Sequence, residues 1–285
     1  MSNASSFIKY ISKSDILKII VATTLFFVIV QSIRITLLMN DEPTTFYDVH
    51  VWKNIGITST FSSWISHFWS MITFMFAEDN FWQVVGNMIW LWVFGSVIED
   101  LKGIYRVLPI YLIGGIFSAF IFILLGTILK PAEVNFYAGA MPSIMAVAVA
   151  TIVYKPNYQF WFLFGKGIPV WIFGGVYFIL QLVAIKEYNL QNLSLMLGAI
   201  LVGVGYNYGF GFIFDKMTTG FKKLGEYFEN NRNFVNKKDG YNFSAPKTLQ
   251  VDTANIDMIL DKINSKGIDS LSAKEKSILE SFSKK

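Results

Sequence analysis

Six stretches of 17 to 23 residues run through the first 214 positions of this 285-residue chain with almost no charge. They are 16–38, 81–98, 107–129, 138–154, 169–185 and 193–214, and only the first holds charged residues, Lys18 and Arg34. The hydrocarbon core of a bilayer is about 30 Å thick and takes about 20 apolar residues per helix, with about 17 as a floor. Backbone polar groups must pair within the segment when lipid surrounds it, and no alternating strand pattern is present, so the six are predicted to be membrane helices. Lys18 and Arg34 lie near the ends of theirs, where a long stem lets the charge reach water. Composition agrees: 53% of residues are hydrophobic and 15% charged, against about 25% charged in a soluble domain. A net charge of +4 is too mild to indicate nucleic acid, and a chain with 2 His and no Cys is neither a disulfide scaffold nor a Cys-ligated metal protein. The expected class is an all-α membrane protein with a six-helix bundle.

Basic residues near the helix ends set orientation. One set of flanks carries ten Lys and Arg, from Lys9, Lys13 and Lys18 through Lys102 and Arg106 to Lys155, Lys166, Lys216, Lys222 and Lys223; the other carries four, Arg34, Lys53, Lys130 and Lys186. Both termini are therefore expected on the cytoplasmic side. The first segment lacks a small-residue cleavage site and is read as a retained helix. The connection 39–80 is long, acidic at its start (Asp41, Glu42, Asp48) and aromatic later (Phe61, Trp64, Phe68, Trp69, Phe74, Phe76). Such a segment suits the headgroup level, as an aromatic belt or as a platform beside a lateral access route. Residues 215–285 hold 13 basic and 10 acidic side chains. Within them 215–250 reads as a linker, and 251–285 as a helix pair. Ile256, Ile259, Leu260 and Ile263 share one helical face, Gly267 is a stop, and Ser272 with Glu275 is a capping box.

Polar residues at membrane depth are costly and mark where function lies. Gln83 and Asn87 are four apart and share a face of the second segment. Gly139-Ala140-Met141-Pro142-Ser143 opens the fourth, with Pro142 in a position suited to a first helical turn. Asn189, Gln191, Asn192 and Ser194 open the sixth, and Gly198, Gly203 and Gly205 follow. Gly114, Gly115, Gly174 and Gly175 read as packing glycines. There is no phosphate-cradling loop and no His/Glu or zinc spacing, so no cofactor and no metal is expected. The helix centres lack charge, which weakens a transporter reading.

The run Phe81-Trp82-Gln83-Val84-Val85-Gly86-Asn87-Met88, followed by Leu91-Trp92-Val93-Phe94-Gly95 and Glu99, resembles the second helix of the rhomboids. Trp69 to Phe76 resembles the end of their first external loop, and Tyr111-Leu112-Ile113-Gly114-Gly115 their third helix. Gly139 to Ser143 stands where the family has its nucleophile turn, and Leu195-Met196-Leu197-Gly198-Ala199 where it has the motif of the catalytic histidine. Ile259 to Lys276 resembles a short helical domain at the C-terminus of some bacterial rhomboids.

This resemblance implies an intramembrane serine protease fold of six or seven helices, in a bacterial cytoplasmic membrane. It also implies that the reacting groups are missing. Met141 stands at the place of the nucleophilic serine and Leu195 at that of the histidine that takes its proton. Gln83 replaces a histidine that helps bind the oxyanion, and Asn87 keeps the family identity. A serine hydroxyl is a weak nucleophile without a base within about 2.6–3.2 Å, and losing one essential triad member costs on the order of 10⁶ in turnover. Ser143 lies about 200° around the helix from Met141 and is expected to bond back to its own helix. His50 and His67 fall in the external connection. Pro142 removes an N–H from the turn.

The expected function is thus a pseudoprotease that binds transmembrane segments or partner proteins without cutting them, with no catalytic residue. Its pocket would be formed by Gln83, Asn87, Gly139, Met141, Ser143 and Leu195. The alternative is an active rhomboid-type endopeptidase with a relocated nucleophile, Ser143 or Ser194. Gln83 and Asn87 would either tie the bundle to the fourth and sixth helices or bind carbonyls of a client. Glu99 is expected to pair with Lys102 or Arg106. Membrane lipid, client helices and a cytoplasmic partner of 251–285 are the expected contacts.

Overall fold

The computed structural model describes residues 14–40, 43–129, 134–160, 167–184, 189–209, 211–238 and 262–263. The chain divides after Glu226 into two units, Met1–Glu226 and Tyr227–Lys285. Seven longer helices follow one another: α1 (Asp15–Met39), α2 (Phe81–Lys102), α3 (Val107–Leu129), α4 (Met141–Tyr154), α5 (Val170–Ala184), α6 (Leu190–Tyr208) and α7 (Gly211–Lys238). α1, α2, α3 and α6 are long and apolar enough to cross a membrane, while α4 and α5 are shorter apolar helices. The fold is an all-α membrane bundle.

The centre of the first unit is α4, packed between α2, α3 and α6. From Met141 to Ala148 every residue of it is buried. Small residues make that position possible. A Cβ on Gly114 of α3 would stand 2.3 Å from the Ala146 Cβ, and one on Gly198 of α6 would stand 2.6 Å from the Ser118 Cα, so these helices touch through bare backbone. Gly175, by contrast, has open space where its Cβ would be, so it is not the packing glycine its sequence context suggests.

Helix ends depart from the sequence expectation for local reasons. The fourth helix begins at Met141 and not at residue 138, because Gly139 takes a φ of 144° that no helix accommodates. Its 14 residues cover about 21 Å at 1.5 Å per residue, less than the hydrocarbon thickness. The second helix runs on to Lys102, where Gly103 with positive φ stops it. The sixth occupies Leu190–Tyr208 in place of 193–214: Asn189 caps its start, accepting from Asn192 N at 2.8 Å, and Gly209 ends it. Residues 211–238, expected as the end of the sixth helix up to 214 and as linker from 215, form helix α7. The expected helix pair at 251–285 lies outside the described residues apart from 262–263.

The long connection 39–80 is a chain of short helical turns. Phe61, Ile65, Phe68, Trp69 and Ile72 are exposed on it, whereas Phe74 and Met75 are fully buried. β1 (Ile57–Thr58) pairs antiparallel with β2 (Phe136–Tyr137) in the connection ahead of α4, and β3 (Gln159–Phe160) pairs with β4 (Ile168–Pro169). The first pairing brings two connections together over the start of α4.

Candidate functional site

Two backbone N–H groups at the entrance to α4 have no helical partner, as at every helix start. The long connection supplies both acceptors. Gly139 N donates to the Phe74 carbonyl at 2.9 Å, and Ala140 N donates to Glu78 Oε1 at 3.1 Å. The same Glu78 oxygen accepts from Asn87 Nδ2 of α2 at 2.7 Å. Glu78 is 1% exposed and Asn87 6%. The other carboxyl oxygen, Oε2, has no hydrogen-bond partner in the structure. Burial pushes the Glu78 carboxyl up to about 7, against the opposing pull of the two donors. Burial and the charge of Glu78 also push the Tyr137 phenol up.

Outward from this cluster opens a cavity of about 750 Å³. Gln83, Gly86, Asn87 and Trp90 of α2 form one wall, and Leu180, Gln181 and Ala184 of α5 the opposite one. Met141, Asn192 and residues 134–138 form its floor, and Trp52, Asp79 and Asn80 its rim. Tyr177 of α5 reaches from behind, its hydroxyl donating to the Met141 carbonyl at 3.4 Å.

The structure gathers only part of the predicted constellation around this space. Gln83, Asn87 and Met141 line the cavity. Gly139 adjoins it, since a Cβ there would stand 3.2 Å from Gln83 Nε2. Leu195 is fully buried in the core. Ser143 points at α3: a Cβ on Gly115 would stand 2.4 Å from its Oγ. That hydroxyl is buried and makes no hydrogen bond, so it does not bond back to its own helix as expected. Asn87 bonds to Glu78 and not across to α4 or α6 side chains. The Ser194 hydroxyl donates to the Gln191 carbonyl at 2.5 Å. His50 lies 3.1 Å from the Phe46 carbonyl and stacks on Phe46, while His67 sits edge-on to Trp69. Neither histidine lines the cavity.

Glu99 is also corrected. It pairs with neither Lys102 nor Arg106; it accepts from Ser14 Oγ at 2.9 Å, Asp15 N at 2.7 Å and Ile16 N at 3.2 Å, at the start of α1. Arg106 contacts Asp215, and Lys102 Nζ lies 3.9 Å from the centre of the Tyr154 ring and 4.2 Å from that of Tyr206. The Ser14 hydroxyl thus meets a carboxylate, but neither Ser14 nor Glu99 is in the cavity lining.

Glu78 escaped sequence reading. An acidic residue just ahead of an apolar helix looks like a solvated N-terminal charge, and the signal that it folds inward, the nine-residue step to Asn87, has no periodic meaning across a turn. Chemically the site offers hydrogen-bond donors and amides facing a half-open cavity, with an apolar Met141 on its floor. Among the described residues no cluster of three or more His, Asp or Glu is arranged to hold a metal ion.

Short helix α4 at the centre of a bundle of apolar helices, with a cavity lined by α2 and α5 at its start, is the architecture of a multi-pass membrane protein. Residues 65–213 match the family model of the Rhomboid domain. This chain belongs to the rhomboid family and is a multi-pass membrane protein. Residues 250–285 match a family of unknown function, DUF6576. No curated protein matches the chain.

Proposed function

We propose that this rhomboid-family chain is a pseudoprotease that holds a transmembrane segment of a client protein in the cavity between α2 and α5 without cutting it. The observation that carries the reading is the floor of that cavity. It presents Met141 where the resemblance implies a nucleophile, and Leu195, where it implies the base, is fully buried. A thioether supplies no alkoxide and an isobutyl group accepts no proton. What remains is suited to recognition: the amides of Gln83, Asn87, Gln181 and Asn192 face a space large enough for an unwound stretch of a client helix. Apolar exposed faces on α1 and α5 would meet lipid. Lys and Arg asymmetry supports both termini on the cytoplasmic side, the resemblance of the C-terminal segment to that of some bacterial rhomboids supports a bacterial cytoplasmic membrane, and 251–285 would dock a cytoplasmic partner.

The test combines cutting and binding. Purified protein is expected to resist a serine-reactive fluorophosphonate and to leave a model transmembrane peptide intact. The same peptide crosslinks to a photoreactive residue placed at Leu180, in the cavity wall, and not to one at Leu25 on the exposed face of α1. Met141→Ser, Pro142→Gly, Leu195→His and Gln83→His introduced together are expected to restore measurable proteolysis. Labelling of any serine, with cleavage lost on mutating that serine, would overturn the reading in favour of a relocated nucleophile. Equal crosslinking at Leu25 and Leu180 would remove the binding half.

A further inference from the structure

Beneath the cavity the chain has placed one of its own carboxyl groups on the donors that a guest would need. Asn87 Nδ2 and the Ala140 N–H converge on a single oxygen, Glu78 Oε1, at 2.7 and 3.1 Å. They belong to different elements, α2 and the entrance of α4. Glu78 itself belongs to neither, but to the irregular segment between the turn Phe74–Phe76 and the start of α2. One carboxyl therefore ties three parts of the fold together. Asn87 also lines the cavity, so its amide is the boundary between the buried acid and the open space.

We propose that Glu78 is a proton-operated latch on this cavity: seated as the neutral acid it occupies Asn87 Nδ2 and the Ala140 N–H, and on ionisation it leaves its buried niche and frees both donors for main-chain carbonyls of a bound segment. The last step deepens the client-binding reading and rests on it; the latch itself does not.

Electrostatics around the group decide the direction. Asp79, next in the chain, repels a charge on Glu78. Tyr111 of α3, Tyr137 of β2 and Tyr177 of α5 face it as phenols, each interacting with its charge. Among the described residues no lysine, arginine or histidine is one of the groups acting on it, so none of them holds an anion there. Its second oxygen finds no donor. A buried charge with one satisfied oxygen is unstable in place, whereas water at the cavity rim solvates it fully. Because Ala77 to Asn80 form neither helix nor strand, the segment can carry the side chain outward without breaking a helical hydrogen bond.

The experiment uses the full chain in nanodiscs with no client present, so that a failure here leaves the binding reading standing on its own test. The chain has no Cys, so Trp82→Cys on α2 and Val183→Cys on α5 take spin labels without background. Both positions are exposed, at 77% and 73%, and neither lines the cavity. Between pH 5.5 and 8.5 the pair is expected to gain a second distance component, with a midpoint near pH 7. In the Glu78→Gln background that pH dependence disappears, because an amide cannot ionise. Asn87→Leu is the second arm: it removes the amide that favours the ionised oxygen, so the midpoint moves to higher pH. A distance distribution that does not change with pH in the parent pair, or that changes equally with Gln at 78, overturns the latch. So does a midpoint that stays in place or falls in Asn87→Leu.

Discussion

Two glutamates stand near the two ends of the same helix, and they are treated in opposite ways. Glu99, near the end of α2, collects three donors at the start of α1: the Ser14 hydroxyl, Asp15 N and Ile16 N. Nearby, Asp15 repeats the pattern for α3, accepting from Leu108 N at 3.2 Å while Lys18 pairs with it at 3.0 Å. A carboxylate at a helix N-terminus meets orphan N–H groups and the positive end of the helix dipole. Glu78, ahead of the other end of α2, has two donors on one oxygen and none on the other. The first arrangement is a rivet, since both carboxyl oxygens find donors at the start of α1. The second is held by a smaller margin that one proton can reverse. Helix anchoring and cavity control thus use the same functional group, and the count of donors separates them.

The contrast is open to attack at both ends. Replacing Glu99 by Ala strands three donors at once and is expected to cost on the order of 4 kcal/mol of stability, read as a lowered unfolding midpoint in detergent. A loss under about 1 kcal/mol, the size of an exposed surface contact, would mean that water satisfies the α1 start and that Glu99 is no rivet.

Glu78 is expected to act on stability through pH. Its carboxyl rises from the ordinary 4.5 to about 7 in the folded chain, so the fold favours the protonated form. The stabilisation is complete below about pH 4.5, declines as pH rises and is gone above about 7, a span on the order of 3 kcal/mol if the group stays seated. Glu78→Gln is expected to flatten this slope in unfolding titrations taken between pH 4.5 and 7.5. A slope equal to that of the parent would assign the effect to another group.

Arg106→Ala tests the smallest difference. The Arg106–Asp215 pair is solvent-exposed on the Asp side, at 61%, and is expected to contribute less than about 1 kcal/mol. A larger loss would show that ionic contacts at this end of the bundle matter as much as the Glu99 cap.

Sequence reading reached the bundle because lipid imposes a length and a composition on every crossing segment. Helix α3 spans Val107–Leu129 with Pro109 in its first turn, where a missing N–H costs no helical bond, and Gly126 in its last. The start of α4 was missed by three residues because its limit is the backbone of Gly139, whose φ a sequence does not display. Within the helix 211–238 the part from 215 on reads as linker from its Lys, Asn and Glu content, yet an amphipathic pattern persists through it. In the site, Gln83 and Asn87 could be put on one face by their spacing along the second helix, Met141 was placed by the resemblance, and the proposed loss of catalysis follows from residue identity. Ser143 could be turned from the cavity by helical geometry alone, but its missing partner could not be foreseen.

The all-α membrane character and the identities of Met141 and Leu195 are properties of single residues and their immediate neighbours, so the order of amino acids was enough to read them. The seat of Glu78, the burial of Leu195 and the cavity between α2 and α5 depend on which distant groups converge. They arise only when α4 packs at the centre and draws the long connection over its exposed N–H groups, because an unpaired donor buried there costs more than the loop's freedom.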